Sequence, residues 1–141
     1  MKRIFVLLLT VSMIAAAFIG CTQKPAFGSS SADTNGNGLR DDVELEILKH
    51  RFGENADPND YIVECYGSYN GAIVLTMRIK NATYPGIADY ETVSGFEFCI
   101  IDGIKISVWY NDRLYELKDA FDSGILTVED VENIHSKQSK K

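Results

Sequence analysis

Twelve consecutive residues, 33–44 (DTNGNGLRDDVE), constrain this chain more than any other stretch. Oxygen-bearing side chains stand at the first, third, fifth, ninth and twelfth positions, as Asp33, Asn35, Asn37, Asp41 and Glu44. That alternation suits a hard cation. Calcium takes six to eight oxygens at about 2.3–2.6 Å, and a chain wraps one by turning alternate residues inward. The sixth position is Gly38, where the wrap bends through backbone angles that a Cβ would penalise. The seventh, Leu39, needs to give only its main-chain carbonyl, which frees its side chain to turn into a core. The expected ligand set is Asp33, Asn35, Asn37, Leu39, Asp41 and Glu44, with calcium as cofactor. Asp42 would tune the field or cap the following helix. Two Asn in place of Asp lower the charge, and extracellular sites of this kind bind at about 10⁻⁴–10⁻³ M. A solvated Asx/Gly turn is the alternative reading of the same residues.

Val43, Ile47, Leu48 and Phe52 recur at helical spacing after the loop, and Gly53 is placed to cap the helix. Arg40, Lys49 and Arg51 are expected on or beside its solvated side. No helical pattern precedes Asp33. The twelve residues resemble the EF-hand calcium loop. A loop with only its outgoing helix, ELEILKHRFG, is similar to one repeat of a dockerin, and this resemblance covers residues 33–52. Dockerins carry two such repeats packed together. Residues 57–60 (DPND) are acidic but have no glycine bend and no ligand spacing. A lone loop is therefore expected to staple the start of a domain rather than to dock on a cohesin.

Lys2 and Arg3 precede an apolar run, 4–19, that ends in Gly20-Cys21. This is the layout of a secretory signal, residues 1–20, set aside from fold reasoning. Phe18-Ile19-Gly20-Cys21 resembles a bacterial lipobox. The resemblance implies lipidation of Cys21 and anchoring at the extracytoplasmic face of the cell membrane. Cleavage near Ala15-Ala16-Ala17, giving a secreted protein, is the alternative, and a retained spanning helix a lesser one. Residues 21–32, small and Gly/Ser-rich, read as a flexible tether. Removing Lys2 and Arg3 from 14 basic residues leaves 12 against 20 acidic, a net charge of −8. Such a balance disfavours nucleic acid and anionic lipid as partners.

The remainder, 54–136, reads as one small α+β domain, so the expected fold class is α+β: calcium loop plus helix over 33–53, then a small antiparallel β-sheet with C-terminal helices. Strands are expected at 61–66 and 72–80, with the turn at 67–71 between them. Residues 81–90 form the longest loop. A strand follows at 91–101, with Phe96, Phe98 and Ile100 alternating, and Asp102-Gly103 signals a two-residue hairpin. Strands at 104–110 and 113–117 flank a turn at Asn111-Asp112. A short helix around Ala120 and Phe121 breaks at Ser123-Gly124. Thr127 with Asp130 approximates a capping box for the last helix. Residues 137–141 read as a polar tail. CYGSYNGA (65–72), ETVSGFEF (91–98) and VWYNDRLYELKDAFDSGILTVEDV (108–131) resemble a pattern in small exported proteins of Gram-positive bacteria with no established activity. The resemblance implies fold and compartment and transfers no catalytic residue.

Chemistry outside the loop is sparse. Cys65 and Cys99 lie on predicted strands, and could pair or remain buried thiols. His50 and His135 sit on different predicted helices without a second ligand at zinc spacing. No nucleophile elbow, zinc-protease helix, phosphate loop or dinucleotide fingerprint occurs. Tyr66, Tyr69, Trp109, Tyr110 and Tyr115 read chiefly as core-facing, with a stacking platform for sugar or peptide as the alternative. Three functions of different class follow. The leading one is a lipid-anchored, calcium-binding module that contacts a protein or glycan and is not an enzyme. The others are a structural lipoprotein with a calcium staple, and a cell-surface hydrolase.

Overall fold

The computed structural model describes residues 33–141. The expected signal, Cys21 and the tether lie outside the described residues. Helix α1 (Asp41–Phe52) begins with Asp41, Asp42 and Glu44 in its first turn and ends with Lys49, His50 and Arg51 in its last. Each end thus opposes the partial charge of the helix dipole. Gly53, at φ 103°, ends it, its N–H donating to the Lys49 carbonyl at 2.8 Å. Ile47 and Leu48 turn inward, as their spacing requires.

Strands β1 (Tyr61–Tyr69) and β2 (Ala72–Ile79) form an antiparallel hairpin. Its turn is Asn70-Gly71, at φ 50° and 85°, the left-handed pair that a two-residue turn needs to match strand twist. The expected turn at 67–71 is therefore shorter, because β1 runs on through Tyr69. A bulge interrupts β1: Cys65 faces Leu75 and Gly67 faces Val74, leaving Tyr66 as the extra residue.

The expected single strand at 91–101 instead folds back on itself at residues 94–95. Strands β3 (Ala88–Val93) and β4 (Phe96–Ile101) pair across Ser94-Gly95, at φ 52° and 84°. Asp102-Gly103 then turns the chain without joining two long strands, and only Ile101 and Ile104 bridge across it. Strand β5 (Ser107–Tyr110) instead pairs with β2, and β6 (Arg113–Glu116) pairs with β5, giving a four-stranded sheet in the order β1-β2-β5-β6. Helix α2 (Leu117–Asp122) and helix α3 (Val128–Gln138) complete the α+β fold. The Thr127–Asp130 capping box forms as the sequence implies.

Two cores share the sheet. Ile73, Leu75, Val63 and Trp109 pack with Leu39, Ile47 and Leu48 of the loop and α1. On the opposite face, Ala72, Val74, Val108 and Tyr66 pack with Phe98 of the hairpin and with Leu117, Val131 and Ile134 of α2 and α3. Tyr66 and Trp109 are 6% exposed and Tyr69, Tyr110 and Tyr115 are partly buried against the second core, so these aromatics are core rather than a stacking platform.

Nor do residues 137–141 hang free. Lys137 Nζ donates to the Tyr66 carbonyl at 2.6 Å, and Lys141 pairs with Glu64 at 3.4 Å. The Gln138 amide binds Cys99 as a neighbouring strand would, accepting from its N–H at 2.9 Å and donating to its carbonyl at 2.8 Å. The end of α3 thus clasps the edges of β1 and β4. Gly67 sits beneath it at φ 138°, where a Cβ would lie 2.8 Å from Lys137 Nζ.

Gln138→Ala removes both bonds to Cys99 and is expected to cost about 1–3 kcal/mol in urea unfolding. The Cys99 amide should also exchange faster with solvent. Ser136→Ala, on the exposed side of the same helix, should change neither.

Candidate metal centre

The loop closes on itself through its own oxygens. The Asp33 carboxylate accepts from the Asn37 N–H at 3.1 Å and from the Gly38 N–H at 2.8 Å. Asn35 Oδ1 accepts from the Asn37 N–H at 3.1 Å, and Asn37 Oδ1 from the Leu39 N–H at 2.9 Å. The Thr34 N–H reaches Asp41 Oδ1 at 2.9 Å. Short polar side chains bonded to main chain two to seven residues away are what curl the segment. Gly36 and Gly38, at φ 70° and 85°, supply the left-handed steps.

Glu44 ends the curl from the first turn of α1, and it is only 2% exposed. An unpaired carboxylate at that depth would be costly. Asn35 Nδ2 donates to both of its oxygens, at 3.2 and 3.0 Å, and Asn37 Nδ2 to Oε2 at 2.8 Å. The structure therefore gathers Asn35, Asn37 and Glu44 directly, and ties Asp33 and Asp41 into the same loop. Leu39 turns inward as expected and is fully buried.

The donor set fits a hard cation in kind: three carboxylates and two amides, with neither sulfur nor imidazole. Among the described residues, no group of three or more His, Cys, Asp or Glu side chains could hold a metal alone. A cation here would thus depend on the amide oxygens of Asn35 and Asn37 and on the Leu39 carbonyl as well. Both amides present nitrogen to Glu44, so half a turn about the last side-chain torsion would bring oxygen inward.

Two neighbours were not foreseen. Arg40 is buried at 9% exposure rather than solvated, and its guanidinium holds Asp42 through Nε at 2.9 Å and through a second bond from Nη2. Asp42 is thereby engaged, and the start of α1 has no side-chain cap. Asn37 Nδ2 also lies 3.3 Å from the Val63 carbonyl, fastening the loop to the outer edge of β1. The loop thus lies against a β-strand.

Cys65 and Cys99 are free thiols. Their surroundings differ: Cys65 packs with the core under α1, whereas Cys99 lies on the hairpin covering the other face. Burial pushes the Cys65 thiol above its ordinary value of 9.0, Asp33 adding to the rise and Lys137 and Lys141 opposing it. No protein-family model, curated protein or solved structure matches the chain.

Because Cys65 is raised on folding, the folded chain favours its neutral thiol. That contribution is complete below the unfolded thiol's pKa and is lost as pH rises through the folded one. Stability should therefore fall more steeply above pH 9.0 in the parent chain than in Cys65→Ala. Iodoacetamide should alkylate Cys65 at least about tenfold more slowly in the folded chain than in urea. Equal rates would contradict this placement.

Proposed function

We propose that this chain is a lipid-anchored, extracytoplasmic calcium-binding module without catalytic activity, in which the metal fastens α1 to the sheet. One observation carries the reading. The loop's twelfth residue, Glu44, is buried at the end of the curl within reach of the Asn35 and Asn37 side chains, and the seventh, Leu39, is buried in the core beneath it. Closing the curl and packing α1 are thus one event.

Asp33, Asn35, Asn37, Asp41 and Glu44 would hold the ion by side chains and Leu39 by its carbonyl. Calcium would supply the positive charge that the carboxylates of Asp33, Asp41 and Glu44 otherwise lack. The residues do the rest. Asn37 ties the loop to Val63, and Leu39, Ile47 and Leu48 transmit its order to the core. The Asn35 and Asn37 amides share Glu44's charge by hydrogen bonding. Anchoring rests on the lipobox-like residues 18–21. Among the described residues, no helix is long and apolar enough to cross a membrane.

Calorimetric titration of the chain with calcium should give one saturable site, at about 10⁻⁴–10⁻³ M. The melting temperature should rise with calcium, as for any ligand that binds only the folded state. Asp33→Ala with Glu44→Ala should remove the heat and the shift together. No heat and no shift up to millimolar calcium would reduce residues 33–44 to a hydrogen-bonded turn.

A further inference from the structure

The edge of β2 leaves an interaction unmade. Strand β5 begins at Ser107, which pairs with Leu75, so on that side β2 continues from Thr76 to Ile79 with no strand beside it among the described residues. Alternation sends the main-chain groups of Met77 and Ile79 to this open side. Two contacts fix that parity. The carbonyl of Val63, opposite Met77, points away from β2 towards Asn37, and the Ile79 N–H donates outward to the Tyr84 hydroxyl at 3.0 Å.

A cleft of about 400 Å³ follows the overhang, with Met77, Arg78 and Ile79 on one side and Ile104, Lys105 and Ser107 on the other. At Arg78, Asp102 and Ile104 it meets a second space of about 480 Å³, lined also by Ile62 and Ile101. Together they make a trough of aliphatic and charged side chains beside the β2 overhang.

The charges along it are uneven. Lys105 pairs with Glu116 at 3.1 Å and Lys141 with Glu64 at 3.4 Å, while Asp102 accepts from the Gly86 N–H. Arg78 and Arg51 line the trough with no carboxylate partner among the described residues. The chain has 20 acidic residues against 14 basic ones, so two unmatched guanidiniums in one trough run against its overall charge.

We propose that this trough is a docking site for an extended segment of a partner protein in which acidic and apolar residues alternate. The segment adds as a strand beside Met77 and Ile79. Its carboxylates meet Arg78 on one face of the sheet, whose planar fork suits them, and its apolar side chains lie against Met77 and Ile79 on the other. A second copy of this chain is the poorer occupant. The overhang itself carries Arg78, and antiparallel edge-to-edge pairing would bring the two Arg78 together. No residue from 33 to 44 lines the trough, so the proposal stands or falls apart from the calcium reading.

The test is a calorimetric titration of the full chain with a capped peptide of alternating valine and glutamate. Replacing glutamate by glutamine in the peptide, or Arg78 by Gln in the chain, should weaken binding by about tenfold. Binding should slow hydrogen exchange at the Met77 amide. N-methylation of alternate peptide nitrogens should abolish binding in one of its two frames and not in the other. Absence of binding at millimolar peptide, equal affinity for the glutamine peptide, unchanged Met77 exchange, or equal loss in both frames would each overturn the proposal. So would dimerisation of the chain that the peptide fails to reverse.

Discussion

Four adjacent residues of β2 hold the molecule together. Ala72, Ile73, Val74 and Leu75 are each at most 1% exposed, so this short run is buried on both faces of the sheet. Two of them look to α1 and two to the hairpin and the C-terminal helices. At about 1.5–3 kcal/mol for each fully buried aliphatic side chain, such a run weighs heavily against the few kcal/mol by which small domains are stable. It also explains why β5 pairs with β2 and not with β4. Val108 and Trp109 extend the same wall, one toward each core.

The loop and the C-terminal clasp are attached to this wall at its margin, and both bind strand edges by side-chain amides. Asn37 takes the Val63 carbonyl on β1, and Gln138 takes both main-chain groups of Cys99 on β4. An amide carries donor and acceptor side by side, so it can stand in for a missing strand at one residue without inviting further pairing. The overhang of β2 has no such amide among the described residues, and the Tyr84 hydroxyl meets it only at its far end.

What the sequence made legible was local. The curl of residues 33–44, the helix after it, the Gly53 stop and the Thr127–Asp130 box each rest on contacts a few residues apart, and each formed. The missed hairpin had a signal too. Val93 and Phe96 both face the core but are three apart, which breaks a two-residue period and marks Ser94-Gly95 as a turn. The partner of β5, the clasp by Lys137 and Gln138, and the separation of Cys65 from Cys99 depend on contacts far apart in sequence. Periodicity along one strand says which face is apolar; it does not say which other strand lies beside it. Within the candidate site, the alternation of oxygen-bearing side chains was readable, while the burial of Glu44 and of Arg40 was not, because burial depends on what packs over the loop.

The bulge at Tyr66 bears on how this chain can vary. Before it, odd-numbered Tyr61, Val63 and Cys65 face the core under α1; after it, odd-numbered Tyr69 faces the other one. One additional residue has switched the reading frame of the strand. Deleting it would send either the first set or Tyr69 to the wrong side, since a one-residue slip inverts every side chain beyond it. Related chains should therefore tolerate exchange of residue type along β1 far better than change of its length. Insertions and deletions should instead collect in loops such as 80–87.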